Sequence, residues 1–147
     1  MTPKDVIKNT VNMCHEVLTS YLSDLSDAEL MVRAVPEANH IAWQLGHLIA
    51  SEHQMLSDAG CKMPDLAAGF AESYTKETST SDDPAKFHKK EQYLEWMGQQ
   101  RAVTLAALDG LSEADLDKPT PESMHGYAPT VGIAFNVIGI HVMMHAA

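Results

Sequence analysis

The chain has 147 residues, of which 45% are hydrophobic and 20% are charged. These values lie near the averages for globular proteins and exclude a disordered chain, and the length predicts one domain over residues 1–147. Ten Lys and Arg against twenty Asp and Glu give a net charge of −10, which repels phosphate groups and predicts that neither nucleic acid nor a membrane surface is a partner.

The chain begins with a helix-start pattern. Thr2 is predicted as the N-cap and Pro3 as the first helical residue, where its missing N–H does no harm. An apolar stripe then recurs at steps of three and four residues, which predicts one buried helix face. Its members are Ile7, Val11, Cys14, Leu18, Tyr21 and Leu25. Ser26, with Glu29 three residues later, predicts a capped helical turn.

A second long helix is predicted from about residue 39 to residue 58, because its apolar residues recur at helical spacing. They are Ile41, Leu45, Leu48 and Met55. A polar stripe flanks them and consists of His40, Gln44, His47, Ser51 and Gln54. His40, His47 and His53 are candidate metal ligands on this helix. His47 is the best placed, since it borders the inward face, whereas His53 lies about 120° further round the helix.

Residues 60–84 lack helical periodicity. Connections longer than about 12–15 residues tend to be functional, so this one is predicted to be a lid or a crossover, with a short helix near residues 65–70. A third long helix is predicted from Pro84 to Leu108, closed by Gly110. Residues 111–116 repeat the pattern of residues 25–30, so Ser112 is predicted to cap a further turn.

The last segment, residues 131–147, is almost continuously apolar and is predicted to be a helix preceded or capped by Thr130. His141 and His145 are four residues apart, so their side chains project to the same side of that helix. An unsatisfied buried polar group costs about 1–3 kcal/mol, and a metal ion is the natural partner for two such imidazoles. The alternative is a pair of hydrogen-bonded core histidines. The segment lacks flanking Lys or Arg and is not predicted to span a membrane.

The four long helices predict an all-α protein with a four-helix bundle, because no alternating strand pattern competes with them. The chain has two cysteines, Cys14 and Cys61, and neither belongs to a CxxC pair. Free thiols are typical of a reducing compartment, and the N-terminus has no secretory signal pattern. The predicted location is therefore cytoplasmic.

Residues 39–48, NHIAWQLGHL, resemble the N-x-I-x-W-x-x-G-H-L segment of the DinB/YfiT-like family of damage-inducible metalloenzymes. The pair His141 and His145 and the two Leu-Ser-x-Ala-x-Leu turns match the order and spacing of that family, and the resemblance spans the chain. It implies a four-helix bundle, often a homodimer. It also implies that His47, His141 and His145 hold one divalent metal ion, which would be nickel, zinc or iron.

The resemblance implies a function as well. Similar domains act as thiol S-transferases or thiol-dependent isomerases, so the expected partners are a small-molecule thiol and an electrophile, with the metal activating the thiol or a water molecule. Water activation would make the protein a hydrolase instead. Gln44 or Ser51 could orient ligands, and no general base is assigned. Two alternatives stay open: a non-catalytic metal-binding or stress-response bundle, and a metal-free bundle with core histidines.

Overall fold

Four long helices make up most of the chain in a computed structural model, which describes residues 1–146 and contains no β-strand in that range. The helices in chain order are α1 (Pro3–Leu22), α2 (Ile41–Asp58), α3 (Lys90–Gly110), the short α4 (Glu113–Leu116) and α5 (Val131–Ala146). The predicted all-α bundle is confirmed. Ala147, the last residue of the predicted domain and of the predicted final helix, lies outside the described residues. The single domain over 1–147 stays a prediction.

Side-chain caps begin the turns that the sequence predicted. The hydroxyl groups of Thr2, Ser26 and Ser112 each accept a hydrogen bond from the backbone N–H three residues later, at 3.2, 3.3 and 3.2 Å. Each bond satisfies one of the N–H groups that a helix start leaves without a partner. These three predictions are confirmed, and the turn after Ser26 is a 3₁₀ turn, Glu29–Met31.

Two predicted details of the long helices are wrong. Tyr21 is 59% exposed, and Leu22 takes its place in the core at 2% exposure, because the stripe advances by four residues at this step. α3 begins at Lys90 rather than at Pro84. Its first N–H donates to the carboxylate of Asp27 at 2.8 Å, a contact 63 residues away that no local pattern reveals.

The connection between α2 and α3 folds over α2. The short helix predicted at residues 65–70 is absent, and a 3₁₀ turn forms at Ala71–Tyr74 instead. Gly69 lies just before it at φ +77°, a backbone conformation that interrupts a right-handed helix. Arg33 ties the later part of the connection down, since its guanidinium donates to the carbonyl of Ser79 at 2.8 Å and to the carboxylate of Asp82 at 2.7 Å.

The four long helices pack as a closed ring. α1 packs against α5 and α3, and α2 packs against the same two helices. α1 and α5 approach each other closely at Gly139, where an added Cβ would lie 3.0 Å from Cγ2 of Thr10. None of the described helices is both long and apolar enough to cross a membrane. This ring places one side of α2 against the C-terminal half of α5.

Candidate metal centre

His40 is a structural residue at the start of α2. Its side chain is fully buried, and its Nδ1 accepts a hydrogen bond from the N–H of Trp43 at 3.0 Å. Nδ1 therefore carries no proton, and Nε2 donates to the carbonyl of Ser81 at 3.0 Å. Both ring nitrogens are used, so this candidate ligand caps α2 and is not available to a metal ion.

His47 lies two turns further along α2, where Trp43 sets the orientation of its ring. The two rings stack with their centroids 4.9 Å apart and an interplanar angle of 8°. Trp43 is itself held in place, because its indole N–H donates to the hydroxyl group of Thr78 at 3.1 Å. The connection thus fixes the indole ring, which in turn fixes the imidazole ring.

His141 and His145 project from α5 toward His47. Their ring centroids are 4.9 Å apart, and each lies 5.2 Å from the centroid of the His47 ring. The three side chains are half-buried, and one nitrogen from each ring lies within 4.8 Å of the other two. The predicted convergence of these imidazoles is confirmed; their role as metal ligands stays a prediction. His53 is half-buried and lies outside the cluster.

Gln44 determines which nitrogen of His145 keeps a lone pair that could bind a metal ion. Its side-chain N–H₂ donates to the carbonyl of Asn39 at 2.7 Å, which orients the amide oxygen toward α5. That oxygen lies 3.0 Å from Nδ1 of His145, and an amide oxygen can only accept, so Nδ1 carries the proton. Nε2 of neutral His145 is then left with a lone pair, as a metal ligand requires.

The environment keeps all three imidazoles neutral. Burial, together with repulsion from the positive charge that His145 or His47 gains when protonated, lowers the pKa of His141 to about 4. Burial also lowers the pKa of His145, and the charge of His47 adds to that effect. For His47, burial lowers the pKa while backbone hydrogen bonding with Tyr74 opposes the shift. Neutral imidazole is the form that binds divalent metals.

The geometry of the cluster fits one divalent ion. Nε2 of His141 and Nε2 of His145 are 3.2 Å apart. Two nitrogens that each lie about 2.0–2.1 Å from a tetrahedral metal are separated by roughly 3.3–3.4 Å, so this pair needs almost no adjustment. The donor set is three neutral nitrogens, which suits zinc, nickel or iron better than the hard cations calcium and magnesium.

One residue near the cluster, Tyr74, was not identified from the sequence. Tyr74, on the connection, lies against α2 where Gly46 leaves space, and it lines a cavity beside His47. Glycine one residue before a candidate ligand is a signal for such a close contact, although it does not identify the partner. Of the two residues expected to orient ligands, Gln44 is hydrogen-bonded to His145, whereas Ser51 makes only a long contact with His47, at 3.4 Å.

Comparisons with known proteins agree with this fold. A model described as the DinB superfamily matches residues 11–147. One similar solved structure is that of a conserved protein from Enterococcus faecalis, with a TM-score of 0.72, 15% sequence identity, and coverage of 99% of this chain and 92% of that chain. At that identity the likeness concerns the fold alone. No curated protein matches the chain significantly.

Proposed function

We propose, from the premise that this chain belongs to the DinB superfamily, that it is a metal-dependent enzyme in which His47, His141 and His145 hold one divalent ion. The observation that carries the proposal is the convergence of three neutral imidazoles from two helices. Three protein ligands with a further position left for water or substrate are typical of catalytic metal sites, whereas structural sites are usually closed by four. Among residues 1–146 the cluster contains three candidate ligands.

The reaction class that we propose is transfer of a small-molecule thiol to an electrophile. The sulfur of the thiol forms a bond to an electrophilic carbon, the bond from that carbon to its leaving group breaks, the leaving group departs with the bonding electron pair, and the thiol proton goes to solvent. When bound, the divalent ion supplies Lewis-acid chemistry that lowers the pKa of a thiol or water toward neutrality. Hydrolysis by activated water is the related alternative.

The residues of this chain contribute position and environment. Gln44 holds His145 in the tautomer with a free Nε2, and Trp43 holds the ring of His47 by stacking. A cavity of about 600 Å³ borders His47 and His141 and provides space for a reactant next to the cluster. A purely structural ion would not need such an opening, so the cavity favours catalysis over the non-catalytic bundle.

Metal content and metal-dependent stability test the first half of the proposal. We expect about one equivalent of divalent metal per chain in protein purified without a His tag, measured by elemental analysis. At a free metal concentration one hundred times Kd, binding stabilises the folded state by about 2.7 kcal/mol, so a chelator should lower Tm by roughly 5–10 °C. Equal Tm values with and without chelator, in protein without bound metal, would instead support the metal-free bundle.

The transferase activity is tested separately. Cysteamine and monochlorobimane are suitable probes, because displacement of chloride by sulfur produces a fluorescent product. We expect the metal-loaded protein to accelerate this reaction and the chelator-treated protein not to do so. A protein that binds metal stoichiometrically but does not accelerate the reaction with a panel of thiols would support the non-catalytic alternative.

Replacing Gln44 with leucine is expected to weaken metal binding by about 10- to 100-fold, the usual effect of removing a residue that orients a ligating histidine. Leucine cannot accept a hydrogen bond from the Nδ1–H of His145, so the ring loses its fixed tautomer. Competition with a chelating dye measures the affinity, and ¹⁵N NMR of the imidazole reports the tautomer. Gln99→Leu, the same substitution on an exposed face of α3, is the control. An unchanged tautomer in Gln44→Leu would contradict the assigned role.

A further inference from the structure

The cavity beside the histidine cluster indicates which class of substrate the protein binds, an inference that rests on the proposed function. It lies between α2, the 3₁₀ turn Ala71–Tyr74 and α5, and its volume is about 600 Å³. His47 and His141 contribute to its wall. Most of the remaining wall is apolar and includes Ala50, Met55, Val137, Ile140 and Met144. A small molecule in this cavity would contact both the imidazoles and an apolar surface.

The wall of this cavity carries no formal charge. None of its lining residues is Lys, Arg, Asp or Glu. Its polar side chains are the two imidazoles together with Ser51, Gln54, Tyr127 and Tyr74, whose hydroxyl group is hydrogen-bonded to that of Tyr93. A carboxylate or sulfonate placed here would lose water without gaining a cationic side chain in return, and such burial is costly. The protein as a whole adds to this effect, because its net charge of −10 repels anions.

A second cavity, of about 630 Å³, borders the same cluster from the side of His145. Its wall is also largely apolar, but it includes Asn39, Gln44 and one ionisable residue, Glu29; Met144 contributes to both cavities. The histidine cluster is therefore bordered by two cavities of different polarity. A transfer reaction has two reactants. If the apolar cavity holds the electrophile, the more polar cavity leaves room for the thiol.

We propose that the cavity between α2 and α5 binds a small, uncharged, largely apolar molecule, which in the proposed transfer is the electrophile. Selectivity arises from the apolar wall, which favours burial of a hydrocarbon or aromatic group, and from the lack of a cationic side chain to receive an anion. An electrophile that carries a carboxylate is discriminated against by the same wall.

A matched pair of dyes tests this inference on the full chain. N-phenylnaphthylamine is uncharged and fluoresces when it enters an apolar site, and anilinonaphthalene sulfonate has the same ring system with one added negative charge. In chelator-treated protein, which has no cation at the histidine cluster, we expect the uncharged dye to bind about tenfold more tightly than the sulfonate, measured by fluorescence titration. Equal affinities, or tighter binding of the sulfonate, would overturn the proposed selectivity.

Two aspartate substitutions on α5 locate the binding site. Ile140 lines the cavity, whereas Ile133, one heptad earlier on the same face, does not; their exposed fractions are 45% and 40%. Ile140→Asp should weaken binding of the uncharged dye by about tenfold or more, and Ile133→Asp should leave it unchanged. Ala71→Trp, which reduces the cavity volume without adding charge, should also weaken binding. Normal binding to both cavity variants would place the dye elsewhere and refute the inference.

The uncharged dye has neither a reactive group nor an anionic group, so its binding is measured without turnover and without ion pairing to a metal. Titrations of metal-loaded and chelator-treated protein therefore separate the two proposals. Selective dye binding by a protein that holds no metal would refute the proposed function and support the binding site. Stoichiometric metal and measurable transfer activity without dye selectivity would support the proposed function and refute the inference about the substrate.

Discussion

Replacing His141 with alanine is expected to reduce divalent-metal affinity by more than about a hundredfold, since the loss of a ligand should exceed the 10- to 100-fold effect of losing a residue that only orients one. His141 lies close to both other histidines of the cluster: its Nε2 is 3.2 Å from that of His145, and its ring centroid is 5.2 Å from that of His47. Without it, two imidazoles from different helices are left, and the chelate between successive turns of α5 is lost.

His47→Ala should produce a loss of similar size, although this residue is 94 positions away in sequence from His141. The two ligands belong to different helices, so equal losses would demonstrate that one ion bridges α2 and α5. His53→Ala is the matched control, because His53 is also a half-buried histidine of α2 but lies outside the cluster. Elemental analysis of the three variants, purified in parallel, measures the outcome. Metal retained in His47→Ala or His141→Ala would refute the assigned ligands.

The features that the sequence predicted well depend on contacts within one or two helical turns. The caps at Thr2, Ser26 and Ser112 are hydrogen bonds over three residues, and the partners can be identified from spacing alone. The shared direction of His141 and His145 follows from the same helical geometry. His47 was added to that pair by its place beside the inward face of α2 and by the family resemblance.

The features that the sequence did not predict depend on distant partners. His40 stayed a candidate ligand behind His47, because the contact that occupies its Nε2, with the carbonyl of Ser81, is 41 residues away in sequence. The start of α3 likewise depends on Asp27, on the far side of α2 in sequence. Tyr74 was not identified because it lies in a connection whose sequence has no helical periodicity. Local patterns and the family resemblance therefore located the three candidate ligands, whereas the residues that support them depend on tertiary contacts.

The largest effect on folding is expected at the contact between Gly46 and Tyr74. An added Cβ at position 46 would lie 2.0 Å from Cε1 and 2.2 Å from Cζ of the tyrosine ring, which is far inside van der Waals contact. The ring cannot easily move, because Tyr74 is 3% exposed and its hydroxyl group is hydrogen-bonded to that of Tyr93 at 2.7 Å. The hydroxyl group of Tyr93 also accepts from the N–H of His88 at 3.0 Å.

Gly46→Ala should therefore destabilise the protein by about 3 kcal/mol, the upper part of the usual range for overpacking, as measured by urea denaturation. Gly98→Ala is a control of opposite sign. Gly98 lies inside α3 with no atom within 4 Å of an added Cβ, so alanine there should stabilise the helix by about 0.5–1 kcal/mol. Since Tyr74 lines the cavity beside His47, displacing its ring should also weaken binding of the uncharged dye. A Gly46→Ala variant as stable as the parent would show that Tyr74 does not pack against α2 in solution.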